Sequence, residues 1–332
     1  MKIAIVILNW NGKQLLEKFV PSIVKYSNLP NVEIVVADNA STDDSVNFIQ
    51  QNYPNIKIVK NLKNGGYAKG YNDALKFVNA DVYALVNSDV EVTEGWLEAI
   101  ISTFETEPDT SIIQPKILDY KNKSTFEYAG AAGGFIDKYG YPYCRGRIFT
   151  SLETDLKQYD DVTEIFWASG ACFFIRAEVF HELNGFDESY FAHQEEIDLC
   201  WRAKNLQKTI KYVGKSTVYH VGGATLKEAS PRKTFLNFRN SLFSLVKNLP
   251  QNKLVQILFL RLVLDAVAGM KFLLELRPLH TLAIVKAHFS FYYHLPKTLK
   301  RRKKIQQKNN YFSVNSIVWN YFVLGKKTYK EL

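Results

Sequence analysis

The sequence predicts an α/β fold, a doubly wound mixed sheet with a C-terminal helical appendage. Three observations lead there. Apolar, β-rich runs alternate with helical stretches through the first 118 residues, the rhythm of a sheet covered on both faces. The chain has 332 residues, more than the roughly 250–300 at which a single core stops growing, so one main domain plus an appendage is expected. Finally, residues 251–332 hold 15 Lys and Arg against 3 Asp and Glu, whereas the first 250 hold 27 against 30. The basic character belongs to the tail.

The elements follow in order. KIAIVIL, VEIVVAD, IKIVK, DVYALVNSD and SIIQPKIL read as strands; KQLLEKFVPSIVKY, TDDSVNFIQQ, AKGYNDALKFV and EGWLEAIISTF read as the helices between them. The opening MKIAIVILNWN is too brief for an export signal and has strand length. Three strands end in Asn9, Asp38 and Asn87, and open sheets of this kind bind ligands beyond the carboxyl ends of their strands. Residues 125–150, rich in Gly and Tyr, predict a loop or hairpin excursion over that edge. ACFFI follows as a strand, AEVFHEL as a helix, NGFD as a turn, and a helix is expected over residues 194–206. TVYHVGG predicts a strand, ATLKEASPRK a loop, and helices run from there to the C-terminus with a boundary at Pro250.

The tail is strongly apolar, but Arg261, Asp265, Lys271, Glu275, Arg277 and Lys286 interrupt it every few residues, so it lacks the long uncharged run of a spanning helix. Helices lying on an anionic membrane surface fit better, with the basic run KTLKRRKK over residues 297–304 meeting headgroups. The alternative is that these helices pack on the core or on another subunit, which would make them an oligomer contact. A basic tail interleaved with apolar residues does not point to nucleic acid. Cys144, Cys172 and Cys200 are odd in number and widely spaced, which fits a reducing cytoplasm better than a disulfide framework. The expected location is therefore cytoplasmic and peripheral, on the inner face of the membrane.

Five polar elements stand out. Asp38 ends a buried strand before a turn that Ser41 or Thr42 can cap, where its carboxylate can accept from a pyrimidine N3–H or a ribose hydroxyl; a plain turn acid is the alternative. Gly65 and Gly66 let the backbone approach a ligand, and Asn72 lies one turn into the next helix. In Asn87-Ser88-Asp89, Asp89 suits a Mg²⁺ or Mn²⁺ bridging carboxylate and phosphate oxygens, although a turn carboxylate reads equally well. Glu195, Glu196 and Asp198 open a helix, a place that also favours acids electrostatically. His220 ends a strand before two glycines, and a lone histidine is often structural.

In this order and spacing the five elements resemble family 2 glycosyltransferases of the GT-A fold, especially the rhamnosyltransferase-like bacterial branch, over residues 3–240. WASGACFFIR and EEIDLCWR belong to the same resemblance. It implies a catalytic domain over 1–240, with nucleotide-binding and acceptor-binding halves meeting near residue 120, and a membrane-associating region over 241–332. It further implies that Asp38 binds the base, that Asp89 binds the metal, and that His220 assists at the metal or diphosphate. Asn9, Asn11, Asn39, Gly66, Asn72, Asn87 and Ser88 complete the expected nucleotide site. Trp167, Gly170, Glu195, Trp201 and Arg239 are expected around acceptor or diphosphate, with Arg239 and Lys233 closing over the latter. Two departures are visible: Asn87 stands where the Asp-x-Asp motif has its first acid, and Glu195-Glu196 replaces a Glu-Asp pair.

The activity implied is inverting transfer of one sugar from a UDP- or dTDP-linked donor to a hydroxyl of a glycan or lipid-linked acceptor, in cell-surface polysaccharide biosynthesis, with Mg²⁺ or Mn²⁺. Glu196 is the expected base. Asp198 has Arg202 one helical turn on, and Glu195 can serve the helix N-terminus, which leaves Glu196 without a structural task. A sugar nucleotidyltransferase would need a glycine-rich basic loop after the first strand, and Asn9-Trp10-Asn11-Gly12-Lys13 is too poor in both. A non-catalytic carbohydrate-binding protein would not need Glu196, Asp89 and His220 together.

Overall fold

The computed structural model describes residues 1–222, 230–302 and 310–332. Gly223, most of the loop expected before residue 233, and Lys303 and Lys304 of the basic run lie outside them. The chain opens with β1 (Ile3–Asn9), α1 (Lys13–Tyr26), β2 (Val32–Asp38), α2 (Ser45–Asn52), β3 (Lys57–Lys60), α3 (Gly66–Ala74), β4 (Val82–Asn87), β5 (Val90–Val92), α4 (Glu98–Thr106) and β6 (Thr110–Asp119). Four short strands follow, β7 (Gly134–Ile136), β8 (Pro142–Cys144), β9 (Arg147–Ile148) and β10 (Ser151–Leu152). Then come β11 (Val162–Glu164), β12 (Cys172–Arg176), α5 (Ala177–Glu182), α6 (Glu195–Asn205) and β13 (Thr209–His220). The C-terminal helices are α7 (Pro231–Asn248), α8 (Gln251–Leu274), α9 (Pro278–Arg301) and α10 (Ile317–Phe322).

The main sheet runs β11-β13-β6-β12-β4-β1-β2-β3, with β5 added against β13. β1 pairs in parallel with β2 and β4, and β12 is antiparallel between β4 and β6. Alternate residues of one strand enter different cores, which is why these strands read as continuous apolar runs. Ile3, Ile5 and Ile7 pack with Leu16, Val20 and Ile23 of α1, whereas Ala4 and Val6 pack with Ala68, Tyr71 and Ala74 of α3. The register sets Asn9 beside Asp38 and Leu8 beside Asn87, so the polar strand ends share one edge.

Three features go beyond the sequence reading. Pro115, within β6, has no N–H to donate, and β13 changes register between Val213 and Thr217 next to it, bulging past the missing donor. The excursion over 125–150 is a small antiparallel sheet, β10-β9-β8-β7. The chain beyond α9 returns to that sheet. Ile317 N–H donates to Asp137 Oδ2 at 2.9 Å, and Ile317 packs with Tyr143 and Ile148. The appendage is therefore tied back at its far end, and α7 runs unbroken through residue 240.

Part of the basic run is also structural. Arg302 donates to Val246 O at 2.6 Å at the end of α7, and Arg301 to Asp187 Oδ1 at 2.6 Å. Lys297 and Lys300 remain exposed.

Candidate active site

At the ends of β1 and β2, Asn9 Nδ2 donates to Asp38 Oδ1 (3.0 Å), Ser41 Oγ (3.1 Å) and Ser45 Oγ (2.9 Å). Asp38 Oδ2 accepts from Ser41 N–H at 3.0 Å. Asn11, at positive φ, accepts from Thr42 N–H through Oδ1 at 2.7 Å and donates its own N–H to Ser41 Oγ at 2.9 Å. The two loops are thus laced together, and Asp38 holds a turn as well as facing the edge. Asn9 Oδ1 is buried without a partner, and a Cβ at Gly12 would come within 2.5 Å of it, so a larger residue there must displace the Asn9 amide.

Several residues expected at the nucleotide have other tasks. Asn39 Nδ2 donates to Asn64 Oδ1 (3.0 Å) and Gly66 O (3.1 Å), and its Oδ1 accepts from Asn61 Nδ2 (3.2 Å), so the whole amide fixes the 61–66 loop. Asn72 brackets Phe186, donating to its carbonyl and accepting from its N–H, both at 2.9 Å. Gly66 has φ +80°, and its missing Cβ would lie 2.4 Å from Phe191 O. The segment before α6 fills that space, so Gly66 admits protein backbone where a ligand was expected. Asn87 and Ser88 are different. Both are half-buried at the carboxyl edge; Asn87 N–H donates to Ala171 O at 2.9 Å, and among the described residues neither side chain has a partner.

β5 runs antiparallel to β13 and sets Asp89 against His220. His220 Nε2 is 3.1 Å from Asp89 Oδ1, and Nδ1 is 3.4 Å from Glu127 Oε1, close enough to pair but not aligned as a hydrogen bond. All three groups are buried. Burial pushes the His220 imidazolium down, but Glu127 and then Asp89 outweigh it and raise it to about 10. Burial likewise pushes the Asp89 carboxyl up, and His220 brings it below its ordinary range. Glu127 was not foreseen. It lies in the irregular stretch EYAGAAGG, where no periodicity marks one acid above another.

The Asp89–His220 pair has the spacing of two ligands of one divalent cation. Two ligand atoms on adjacent corners of an octahedron about 2.1 Å in radius lie roughly 3.0 Å apart, and the Asp89–His220 separation is 3.1 Å. Glu127 on the far ring nitrogen supplies the carboxylate that orients a ligating histidine. Among the described residues no group of three acidic, histidine or cysteine side chains is disposed around one ion. Without an ion His220 holds a proton on the nitrogen facing Asp89, so an ion bound there must displace it. With His220 neutral, the two side chains fit an ion that completes its shell with water and substrate phosphate.

Phe191, His193 and Gln194 all have positive φ, forming a tight turn into α6. Asn240 holds it, donating to Tyr190 O (3.1 Å), Ala192 O (3.0 Å) and His193 O (2.8 Å). Arg239, expected at the diphosphate, instead donates to Ser189 O (3.2 Å) and Asn240 Oδ1 (2.8 Å). Lys233 stays available: its Nζ lies 6.0 Å over the Tyr128 ring and has no acidic partner among the described residues.

The three acids then part company. Asp198 is fully buried and accepts from Arg202 Nε (2.8 Å), Lys247 Nζ (2.8 Å) and Asn248 Nδ2 (2.9 Å). Burial pushes its carboxyl up, and Lys247 and Arg202 bring it below the ordinary range. Glu195 and Glu196 each keep an Oε2 that is buried without a partner. Glu195 is buried, and burial followed by the charge of Glu196 pushes it well above the carboxylate range. Glu196 is half-buried, and burial raises it to about 7.

Glu196 faces Gly170, whose Cβ position would be 3.7 Å from Glu196 Cδ and 3.2 Å from Tyr67 Oη; Tyr67 donates to Gly170 O at 2.8 Å. Through Ala171 and Asn87 this wall joins the Ser88-Asp89 edge. Trp167 and Trp201 correct the sequence reading. Both indoles are buried, Trp167 donating to Phe135 O at 2.9 Å and Trp201 lying against Tyr311 at 5.3 Å, so neither offers a face to a sugar.

A polar strand-end edge, an acid–imidazole pair at it, and an acid unpartnered at Oε2 beside Gly170 suit a glycosyltransferase of the GT-A fold. Residues 4–183, more than half of the chain, match the family described as glycosyl transferase family 2, and the chain belongs to it. It is 25% identical over 219 residues to the N-acetylglucosaminyl-diphospho-decaprenol L-rhamnosyltransferase of Mycobacterium tuberculosis, covering 62% of this chain and 71% of that one. S. aureus TarS 1-349 in complex with UDP-GlcNAc shares the fold at a TM-score of 0.58 and 16% identity, over 90% of this chain and 83% of that one. The mannosyltransferase PcManGT of Pyrobaculum calidifontis, in complex with GDP-Man and Mn²⁺, does so at 0.54 and 12%, over 88% and 87%.

Proposed function

We propose that this glycosyltransferase moves a single sugar, with inversion, from a UDP- or dTDP-linked donor to a hydroxyl of a lipid-linked glycan, in cell-surface polysaccharide assembly. The carrying observation is Glu196: half-buried, unpartnered at Oε2 and raised to about 7, it has the exposure, the freedom and the proton affinity of a base working near neutrality. It takes the proton from the acceptor hydroxyl as that oxygen bonds to the anomeric carbon. The bond from that carbon to the donor phosphate breaks, and the nucleoside diphosphate leaves. One displacement inverts the centre.

Asp38, Asn87 and Ser88 are the groups offered to base and ribose, and Lys233 to the diphosphate. Asp89 and His220 would hold a Mg²⁺ or Mn²⁺, which supplies charge neutralisation to a diphosphate leaving group. The Mn²⁺ in the PcManGT complex supports a divalent ion, and the diphospho-decaprenol named for the mycobacterial relative supports a lipid-linked acceptor. The apolar, basic C-terminal helices support a peripheral place on the inner face of the membrane, and the three free, buried thiols fit a reducing compartment.

Thermal shift against a panel of nucleotide-sugars tests the reading. A true donor with Mn²⁺ or Mg²⁺ at 100 times its Kd stabilises by about 2.7 kcal/mol. EDTA and Asp89→Ala should each abolish that shift and transfer with it. A shift that survives both disposes of the metal, and no shift with any nucleotide-sugar disposes of the donor class.

A further inference from the structure

α8 is built inside out. Its buried stripe is Leu254, Ile257, Arg261, Asp265 and Gly269, while Val255, Phe259, Val263, Val267 and Met270 point outward and are exposed, Phe259 by 64%. The inward charges form a closed cluster. Arg261 Nη1 donates to Tyr139 O at 3.0 Å and its guanidinium lies 4.0 Å over the Tyr141 ring; Asp265 accepts from Tyr141 Oη at 3.0 Å and meets His288 Nε2 of α9 at 3.0 Å. The cluster joins α8 to α9 and pins both to the loop between β7 and β8.

α9 buries a mainly apolar stripe and still exposes apolar side chains. His280, Ala283, Ile284 and Ala287 are buried, and Leu282, Val285 and Phe289 face out. At the turn between the helices Leu274 and Leu276 are 85% and 88% exposed. A water-facing helix pair places its apolar stripe inward and its charges outward. α8 instead turns Arg261 and Asp265 inward, and both helices, of 24 residues each and about 36 Å long at 1.5 Å per residue, carry large apolar side chains outward.

We propose that the α8–α9 hairpin is a monotopic anchor, lying in the plane of an anionic bilayer with its outward apolar face in the acyl boundary. The proposal deepens, and rests on, the membrane placement given above. No helix among the described residues is long and apolar enough to cross a membrane, so the hairpin lies along the surface. The charges at its edges choose the occupant. Lys271, Arg277, Lys286, Lys297 and Lys300 are exposed, and the one exposed acid of the pair, Glu275, is met by Lys271 and Arg277. A second copy docked face to face would set these cations against their own kind, since such a contact must be self-complementary. Anionic headgroups neutralise them, and Tyr292 and Tyr293 sit exposed beside them as interfacial aromatics do.

The test is flotation of the full-length protein with phosphatidylcholine vesicles, with and without phosphatidylglycerol, at low salt and at roughly 1 M salt, where the Debye length falls to about 3 Å. Wild type should float with the anionic vesicles and keep most of that binding in high salt. The outward triple variant Phe259→Ser, Val263→Ser, Val267→Ser should float at least about tenfold less, with an unchanged thermal melt because none of the three packs in the core.

Complete release by salt together with a triple variant that floats normally would mean a purely electrostatic attachment and overturn the anchor. A wild type that fails to float also overturns it, and one that sediments as a dimer which the triple variant dissolves assigns the face to a second copy. Nucleotide-sugar binding and hydrolysis on the same preparations keep the two proposals apart. A protein that floats but neither binds nor hydrolyses any nucleotide-sugar faults the transferase reading and leaves the anchor standing.

Discussion

At the ends of β1 and β2 the polar side chains are engaged with one another: Asn9 with Asp38, Asn11 with Thr42, Asn39 with Asn61 and Asn64, and among the described residues Asn9 Oδ1 is the one buried atom of this cluster without a partner. At the start of α6, two adjacent glutamates each keep a buried oxygen unpartnered, while Asp198, one turn on, has three donors. Polar groups of similar burial therefore do opposite jobs. The first cluster stabilises two loops against each other, as satisfied buried polar groups do. The second carries an unrelieved desolvation cost, tolerated where chemistry needs a group that will take a proton.

The sharpest way to break this comparison is to neutralise one acid of α6 at a time. Glu196→Gln should lose about 10²–10⁴ in transfer rate while binding donor normally. Glu195→Gln should do much less, because burial and the neighbouring charge of Glu196 already disfavour the ionised form of Glu195. A wild-type rate in Glu196→Gln with a dead Glu195→Gln would reverse the roles.

Asp198→Asn should instead act on the fold, leaving half-buried Arg202 without its carboxylate and buried Lys247 with Asp187 alone, at a cost of up to about 3–5 kcal/mol, read from the denaturation midpoint. An unchanged midpoint would return Asp198 to the list of candidate bases.

Asp38→Ala tests the satisfied cluster. It leaves Ser41 N–H without its acceptor and removes one of the three acceptors of Asn9 Nδ2, so a stability loss of about 1–3 kcal/mol should accompany weaker donor binding. Asp38→Asn, whose amide oxygen can still accept from Ser41 N–H, should recover part of the stability. Unchanged melting in Asp38→Ala would show that the two loops do not depend on it.

pH separates the clusters most gently. Below about 7, the value to which burial raises Glu196, kcat/KM should fall about tenfold per pH unit, and Glu196→Gln should flatten the profile. Stability moves the other way. A carboxyl raised on folding contributes stability that is fully present below its unfolded value near 4.5 and is lost as pH rises to about 7. Relative to wild type, Glu196→Gln should therefore gain stability across that window.

How legible the molecule was depended on whether a feature is local. The βαβ rhythm, the shared edge of Asn9, Asp38 and Asn87, and the Asp198–Arg202 pair follow from spacing along one element and stand in the structure. Glu127 was invisible because it meets His220 only across β6 and β13, 93 residues apart in a chain that gives it no periodic context. Asn72, Gly66 and Arg239, expected at the substrate, are engaged with protein groups for a related reason: residue types that suit a ligand suit a backbone carbonyl or a close-packed turn equally well. In each case the segment just before α6 took the place assigned to the substrate.

The sequence by itself determined the fold class, the family and the side of the sheet on which chemistry happens, because these are written in hydrophobic period and in strand-end residues. It also located the surplus of basic and apolar residues in the last 82 positions. Only the tertiary structure decided which polar groups are satisfied and which face of α8 is buried, since both depend on partners far away in the chain. Arg261 and Asp265 turn inward because the loop around Tyr139 and Tyr141 and His288 of α9 meet them there. That long-range pairing rotates the apolar stripe to the outside.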